Sequence, residues 1–264
     1  MDKDRDVLND LSSGANGNKS MALAIVTKSN GSSPGKEGAM MVVFEDGNTK
    51  GTLGGGNLEY KVIQTALNCI KTGKNDLISF DVSSNGSLGM VCGGNTDIFI
   101  KVFKANDQLI IIGGGHIAQE LYKLGKMFGF EVVIFEDREQ YGNVSRFPEA
   151  KIILGDYEKT LTNYEIKRNS YIVIVTRGHS FDEVALKFVI NSEAAYIGMI
   201  GSKNKVSSTF NNLKKEGIEE KDLKKIYAPI GINTGGNNPL DIAFSIMTEI
   251  LVIKNGGSLE HLKI

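Results

Sequence analysis

The chain has 264 residues, of which 41% are hydrophobic, and this length and composition predict about two globular domains with apolar cores. Lys and Arg number 30 against 31 Asp and Glu, a formal net charge of -1, which excludes a global positive field for binding nucleic acid or an anionic membrane. Two cysteines, a start unlike a signal peptide and no apolar run of about 18 residues predict a cytoplasmic protein that does not span a membrane.

Residues 1–104 predict a small α+β domain with a mixed sheet. A short polar helix is expected to end over 7–11, before a loop over 12–20. Apolar residues at helical spacing predict a second helix with Asn57 as N-cap and Gly73 just past its C-terminus, and Asp46-Gly47 predicts a hairpin turn. Strands are expected over residues 21–27, 39–44, 77–82 and 97–103.

Residues 105–264 alternate short apolar, β-branched runs with helical segments. The predicted strands cover residues 109–112, 131–135, 151–154, 171–175 and 195–200. The predicted helices cover residues 116–128, 181–190, 203–215 and 239–253. Runs buried on both faces with helical crossovers are typical of a parallel sheet, so the second domain is predicted to be Rossmann-like, with a mainly parallel sheet.

The strongest local motif is G-x-G-x-x-A at Gly113, Gly115 and Ala118, between a predicted strand and a predicted helix. Gly113 permits the tight turn, and Gly115 lets a pyrophosphate approach the backbone at the helix N-terminus. Ala118 is small enough for close packing of the helix on the sheet. The motif therefore predicts binding of a nucleotide or dinucleotide.

Three charged residues follow the next predicted strand. Glu136 and Asp137 stand where an acidic side chain accepts hydrogen bonds from ribose hydroxyls. Arg138 comes directly after them and is suited instead to a ribose 2′-phosphate. The residues alone leave the choice between these two forms of ribose open.

Two histidines lie near this predicted site. His116 is inside the glycine turn, where its ring either points at a ligand or caps the helix. His179 follows the fourth predicted strand, at the carboxyl edge where open α/β sheets bind ligands, and Asp182 is three residues further on. His179 and Asp182 are therefore the candidates for acid-base catalysis.

A second glycine cluster, Gly54, Gly55 and Gly56, precedes the predicted helix of the first domain. A helix N-terminus after such a loop is suited to an anion, and Glu59 in the first helical turn also suits the helix dipole.

The other notable segment of the first domain is Cys92-Gly93-Gly94. The N–H groups of the two glycines are suited to lowering the pKa of the Cys92 thiol or to contacting an anion. From the residues alone, a reactive thiol and a cysteine that only packs are equally supported, whereas Cys69 falls on the apolar face of a helix and is predicted to be buried.

Taken in order, these motifs resemble the XdhC/CoxI family of maturation factors for molybdenum hydroxylases such as xanthine dehydrogenase. The stretches that carry the resemblance are residues 31–34, 38–40, 51–59, 92–94, 113–116, 136–138, 176–179 with Asp182, 196–203 and 228–231. In the last loop, the family's Thr before proline is Asn238 here, and Asn238 is expected to cap the final helix.

The resemblance implies a chaperone-like protein that binds molybdenum cofactor, as molybdopterin or its dinucleotide form, and assists its sulfuration and insertion. It implies three partners: an apo molybdenum hydroxylase of the xanthine dehydrogenase type, a cysteine desulfurase, and a second copy of the chain in a homodimer. Cys92 matches the cysteine of the family's C-G-G motif and is the candidate contact to molybdenum or its sulfur, for which a soft thiolate is suited. We expect Cys92 and the Gly54 to Gly56 loop to face the Gly113 turn.

Two other classes of function stay open at this point. One is an NAD(P)-dependent oxidoreductase, with His179 as the acid or base near the nicotinamide. The other is a sensor that binds NAD(H) without turnover and changes its oligomeric state.

Overall fold

The computed structural model describes residues 3–16, 19–31, 35–81 and 94–263. The chain divides into two compact units, residues 1–105 and residues 106–264. Each unit has its own hydrophobic core on both sides of a five-stranded sheet. No helix in the described part of the chain is both long enough and apolar enough to cross a lipid bilayer.

The described residues of the first unit form five strands and two helices. In chain order these are α1 (Lys3–Asn16), β1 (Met21–Gly31), β2 (Met40–Phe44), β3 (Thr49–Gly51), α2 (Gly56–Thr72), β4 (Asp76–Asp81) and β5 (Gly94–Phe103). The strand order is β3-β2-β1-β5-β4, and every neighbouring pair is antiparallel. The prediction of a mixed sheet is therefore wrong. The strands β3 and β4, which α2 connects, lie at opposite edges of the sheet, so they do not form a parallel pair.

The two faces of this sheet are covered by different helices. Ala22, Ala24 and Val26 alternate along β1 and pack in one core with the buried face of α2, which includes Cys69 as predicted. Met21 and Leu23 point to the other face and pack with Val7 of α1. Leu11 packs against the same cluster, and a Cβ atom on Gly14 would lie 2.8 Å from the Met21 side chain. The later turns of α1, which continue to Asn16 beyond the end predicted near residue 11, therefore also rest on this face.

The ends of α2 depart from the prediction at one side only. Gly55, not Asn57, is the N-cap, because Gly54 to Gly56 all adopt positive φ and turn the chain into the helix. Gly73 ends the helix in the left-handed conformation at φ 68°, as predicted. The hairpin between β2 and β3 also turns at Asp46-Gly47 as predicted.

The second unit is a doubly wound α/β domain. Its elements are β6 (Gln108–Ile112), α3 (His116–Met127), β7 (Glu131–Glu136), β8 (Lys151–Leu154), α4 (Tyr157–Thr162), β9 (Ser170–Ile174), α5 (His179–Val189), β10 (Tyr196–Met199), α6 (Lys203–Lys215), α7 (Glu220–Leu223) and α8 (Pro239–Asn255). All strand pairs are parallel, in the order β8-β7-β6-β9-β10, which confirms the predicted Rossmann-like domain.

Helices cover both faces of this parallel sheet. Alternate residues of β6, β7 and β9 pack against α5 and α6 on one face and against α3 and α8 on the other. The strand order reverses between β6 and β9, so the loops that follow these two strands leave the sheet in opposite directions. In open α/β sheets the crevice at this point binds ligands.

Candidate functional site

The glycine turn after β6 is held by the ends of two neighbouring strands. The Gly113 N–H donates to the Phe135 carbonyl at 2.8 Å, and Gly113 has a φ of 112°. A Cβ atom on Gly113 would lie 2.5 Å from the Val175 carbonyl oxygen, a distance that excludes any side chain. Glycine is therefore required at 113 both for its conformation and for this close approach.

Gly115 differs from Gly113 in what surrounds it. It is the N-cap of α3, it supplies no capping side chain, and a Cβ atom there would meet nothing within 4 Å. The first N–H groups of a helix have no acceptor within the helix. The backbone at Gly115 and His116 is therefore accessible to an anion at the positive end of the α3 dipole. Behind it, Ala118 is fully buried against the sheet, the position its small size predicted.

Glu136, the last residue of β7, fixes the middle of the turn. Its carboxylate is fully buried and accepts hydrogen bonds from the Gly114 N–H at 2.6 Å and from Arg138 Nε at 2.8 Å. Arg138 Nη2 also donates to it at 3.1 Å, so the pair is bidentate. Burial raises the pKa of Glu136, but the hydrogen bonds outweigh this effect and lower the pKa to about 2.

Asp137 stands beside this pair with a different partner. Its Oδ2 accepts a hydrogen bond from Arg177 Nη2 at 2.8 Å. Its Oδ1 is buried 3.5 Å from Arg138 Nε, without a hydrogen bond in the described part of the chain. Burial and the neighbouring Glu136 carboxylate raise the pKa of Asp137, and the charge of Arg177 opposes them. The two acids that the sequence predicted for ribose hydroxyls are thus both engaged by arginines.

A cleft of about 370 Å³ opens between the turns that follow β6 and β9. Its lining residues are Gly114, Gly115, His116, Ile117, Arg138, Val175, Thr176, Arg177, Asn237, Pro239 and Ile242. Of the predicted cofactor residues, the cleft thus brings together Gly115, His116 and Arg138. Glu136 and Asp137 lie behind Arg138 and Arg177 and do not line it.

The loop after β9 is held in place by Asp182, which the sequence analysis paired with His179 as a candidate for acid-base catalysis. Asp182 is fully buried in α5 and accepts from the Thr176 N–H at 3.1 Å and the Thr176 hydroxyl at 2.6 Å. Lys205 of α6 also pairs with the Asp182 carboxylate. These contacts make Asp182 a residue that positions the Thr176 loop.

His179 lies apart from the glycine turn. It is exposed at the start of α5 and lines a separate polar hollow together with Ser202 and Lys205. Among the described residues, the side-chain contacts of Asp182 are made with Thr176 and Lys205 and not with His179. The structure therefore does not bring the predicted acid-base pair together, whereas His116 does line the cleft.

The Gly54 to Gly56 loop is filled from within the first unit. The Glu59 carboxylate accepts hydrogen bonds from the Leu53 N–H at 2.7 Å and the Gly55 N–H at 2.8 Å, and it also pairs with the Thr52 hydroxyl. Burial raises the pKa of Glu59, but these hydrogen bonds outweigh burial and lower the pKa. This corrects the expectation of an open anion site, because a fixed carboxylate already occupies the donors.

Cys92 and Gly93 lie outside the described residues, and Gly94 begins β5, where it pairs with Gly31. The predicted contact of Cys92 with molybdenum or sulfur therefore stays a prediction. Within the described residues, no group of three or more His, Cys, Asp or Glu side chains is arranged to hold a metal ion.

Arg177, Asn237 and Pro239 are cleft residues that the sequence prediction did not assign to the site. In the sequence, only their positions relative to predicted strands and helices could have indicated them. Arg177 follows a parallel strand next to the glycine turn, and 237–239 lead into the helix that packs beside α3.

Comparison with known proteins agrees with this architecture. The family described as "XdhC Rossmann domain" matches residues 109–250, and the "XdhC and CoxI family" matches residues 15–81. The Escherichia coli (strain K12) protein YqeB is 30% identical over 238 residues, which cover 89% of this chain and 43% of YqeB.

A Bacillus subtilis (strain 168) protein, named as a probable xanthine dehydrogenase component, is 26% identical over 157 residues, 59% of this chain and 46% of that protein. The chain thus spans less than half the length of either curated relative. A crystal structure from Bacillus halodurans, described as a xanthine dehydrogenase, matches with a TM-score of 0.53 at 20% identity and covers 96% of both chains, which shows a shared fold. Because the family matches extend over both units of the structure, this chain belongs to the XdhC/CoxI family.

Proposed function

We propose that the protein is an accessory factor for a molybdenum hydroxylase of the xanthine dehydrogenase type, and that its Rossmann cleft binds a nucleotide-bearing cofactor. Two ligands share this chemistry: the dinucleotide form of molybdenum cofactor and NAD(P). Membership of the XdhC/CoxI family supports the accessory role.

The observation that carries the binding proposal is the cleft at the Gly113 turn. It combines accessible N–H groups at the start of α3, an open approach at Gly115 and two arginine side chains in its wall. Backbone donors at a helix N-terminus and guanidinium groups are the groups that bind phosphate esters in proteins. A pyrophosphate therefore fits the residues present, held by the backbone N–H groups of Gly115 and His116.

Delivery of molybdenum cofactor also requires a group that contacts the metal or its sulfur. We assign this role to the Cys92 thiol, which resembles the family's C-G-G cysteine and is of a chemical type that binds molybdenum or sulfur. When bound, the cofactor would supply the redox-active metal centre of the client enzyme. The glycine turn after β6 would hold the pyrophosphate of the cofactor.

The binding proposal is tested by the small molecule that purifies with the full chain. The protein is produced in cells that synthesise molybdenum cofactor, and the bound fraction is analysed by mass spectrometry for pterin and nucleotide and by elemental analysis for molybdenum. We expect a nucleotide or pterin dinucleotide in wild-type protein and a smaller amount in Gly115→Val, whose side chain would occupy the approach to the turn. Arg168→Gln, at the amino end of β9, is the matched control.

Equal loading of wild type and Gly115→Val, or no bound nucleotide in either, would contradict the cleft as the binding site. Loading of pterin and molybdenum that is unchanged in Cys92→Ala would remove the thiol from the proposal.

The accessory role is tested by activity of the client. An apo-hydroxylase of the xanthine dehydrogenase type is incubated with cofactor-loaded protein, and its gain of activity is compared with incubation with free cofactor. We expect faster activation with the loaded protein. Activation by the loaded wild-type protein at the same rate as by free cofactor would contradict the role.

A further inference from the structure

We infer that the carboxyl end of β7 favours a ribose that carries a phosphate group at its 2′ position, so that between the two nicotinamide dinucleotides the cleft binds NADP(H) in preference to NAD(H). This inference rests on the proposed nucleotide binding at the Gly113 turn and adds the chemical form of the ligand.

The acids that would recognise an unmodified ribose are withdrawn from the cleft. Glu136 is fully buried and both of its oxygens accept hydrogen bonds from Arg138, Gly114 or the backbone that follows. Asp137 has one oxygen bound by Arg177 and the other buried out of solvent contact. Recognition of an unmodified ribose needs a carboxylate oxygen facing the 2′-hydroxyl, and neither acid lines the cleft.

Two arginine side chains, in contrast, form part of the wall of the cleft. Arg138 and Arg177 both line it, with side chains that are 23% and 41% exposed. Glu136 binds Arg138 through Nε and Nη2, which leaves Nη1 without an acceptor among the described residues. A guanidinium group presents several donors that match the oxygens of a phosphate, whereas it offers no acceptor to a hydroxyl group.

Contacts with aromatic rings hold these two arginine side chains in place. Arg138 stacks on the Tyr141 ring at 3.9 Å, and Arg177 lies over the Phe181 ring at 4.3 Å. A third guanidinium, that of Arg146, donates to the Gly114 carbonyl at 2.9 Å and adds a positive charge that no carboxylate of the described chain pairs with. The cleft wall therefore carries two guanidinium groups and neither of the two carboxylates, a lining that favours a phosphate monoester with nearly two negative charges.

The test compares the affinities of the full chain for NADP⁺ and NAD⁺, which differ only in the 2′-phosphate, by isothermal titration calorimetry. We expect NADP⁺ to bind about tenfold more tightly or better, because one hydrogen bond to a charged group is worth that factor. Arg177→Gln should reduce the ratio of the two affinities by lowering that for NADP⁺. This variant leaves the buried Glu136 and Arg138 pair intact, so the fold is expected to persist.

Arg168→Gln is the matched control, because Arg168 is an exposed arginine paired with Glu193 at the opposite end of the strand. It should leave both affinities unchanged. Equal affinities for NADP⁺ and NAD⁺ in wild type, an equal loss of both in Arg177→Gln, or no binding of either would overturn the inference. The proposed function is decided separately, by the nucleotide or pterin that purifies with the protein.

Discussion

Glu136 connects the sheet, the glycine turn and the wall of the cleft through one carboxylate. It receives the Gly114 N–H on one side and the Arg138 guanidinium on the other. Removal of this carboxylate would leave the Arg138 guanidinium with only Asp137, 3.5 Å from its Nε, as a counter-charge, and the Gly114 N–H without its acceptor. Its contribution to folding therefore depends on its staying ionised.

The pH dependence of stability tests this role of Glu136. Its pKa in the folded protein is about 2, below the ordinary value of 4.5. A carboxyl group with a lowered pKa stabilises the folded state above its unfolded pKa and loses this effect as the pH falls through the folded pKa. We expect Glu136→Gln to lower the free energy of unfolding by about 3 kcal/mol at neutral pH. This difference from wild type should shrink between about pH 4.5 and pH 2 in urea titrations. A difference that stays constant over this range would contradict a stabilising role for the ionised Glu136 carboxylate.

Glu59 has a comparable role in the first unit. Glu59→Ala removes the acceptor of the Leu53 and Gly55 N–H groups, and each lost hydrogen bond to a charged group costs about 1.5–3 kcal/mol. Allowing for water that replaces part of the loss, we expect urea denaturation to show a decrease of about 2 kcal/mol in the free energy of unfolding. Glu45→Ala, at an exposed position, should change it by less than about 0.5 kcal/mol. Equal effects of the two variants would show that the loop does not need Glu59.

Helix α8 begins with the cap that the sequence indicated. The Asn238 side chain accepts a hydrogen bond from the Asp241 N–H at 2.9 Å, and Pro239 occupies the first turn. This cap fixes the end of the loop whose Asn237 lines the cleft. The sequence signal was reliable because both the capping side chain and the proline act within one helical turn.

The cap is tested by substitution at one position. Asn238→Ala should lower the free energy of unfolding by about 1 kcal/mol, whereas Asn238→Ser, which keeps an oxygen acceptor, should lose less than half of that. Thermal or urea denaturation of both variants measures the difference. If the alanine and serine variants were equally stable, the hydrogen bond to Asp241 would not contribute.

At the level of elements, the sequence predicted most of the second sheet because its strands are apolar on both faces. The helix α6 begins and ends at the predicted residues, Lys203 and Lys215. Two short helices were missed. One of them, α4, had a local signal in Asp156, which caps it by accepting from the Lys159 N–H. A six-residue helix shows too few turns for an apolar period to be visible.

The site was harder to predict than the fold, for a physical reason. The glycine turn is a local feature of the sequence, and its position was correct. Which charged side chain faces the cleft depends on contacts between distant segments, such as the hydrogen bond of Arg177 with Asp137. The spacing of Glu136 and Asp137 after the turn is the same whether the acids or the arginines line the site.

The division of the whole chain into two units gives ligand binding a regional effect. The residues that line the cleft all belong to residues 106–264. A ligand that binds only the folded state stabilises it by about 2.7 kcal/mol at a concentration about 100 times its dissociation constant. With NADP⁺ as the ligand, we expect hydrogen exchange to slow in β6 and β9. The strands β1 and β5 should be unaffected; equal slowing there would contradict this expectation.

Gly113 and Gly115 are two residues apart, yet they meet different demands. The carbonyl oxygen of Val175 closes the space beside the first, and the space beside the second is open. In a library randomised at both positions, selection for well-expressed protein should retain only glycine at 113 while tolerating other small residues at 115. Selection for nucleotide capture from the survivors should then restore glycine at 115. Folding therefore requires glycine at 113, whereas ligand binding requires it at 115.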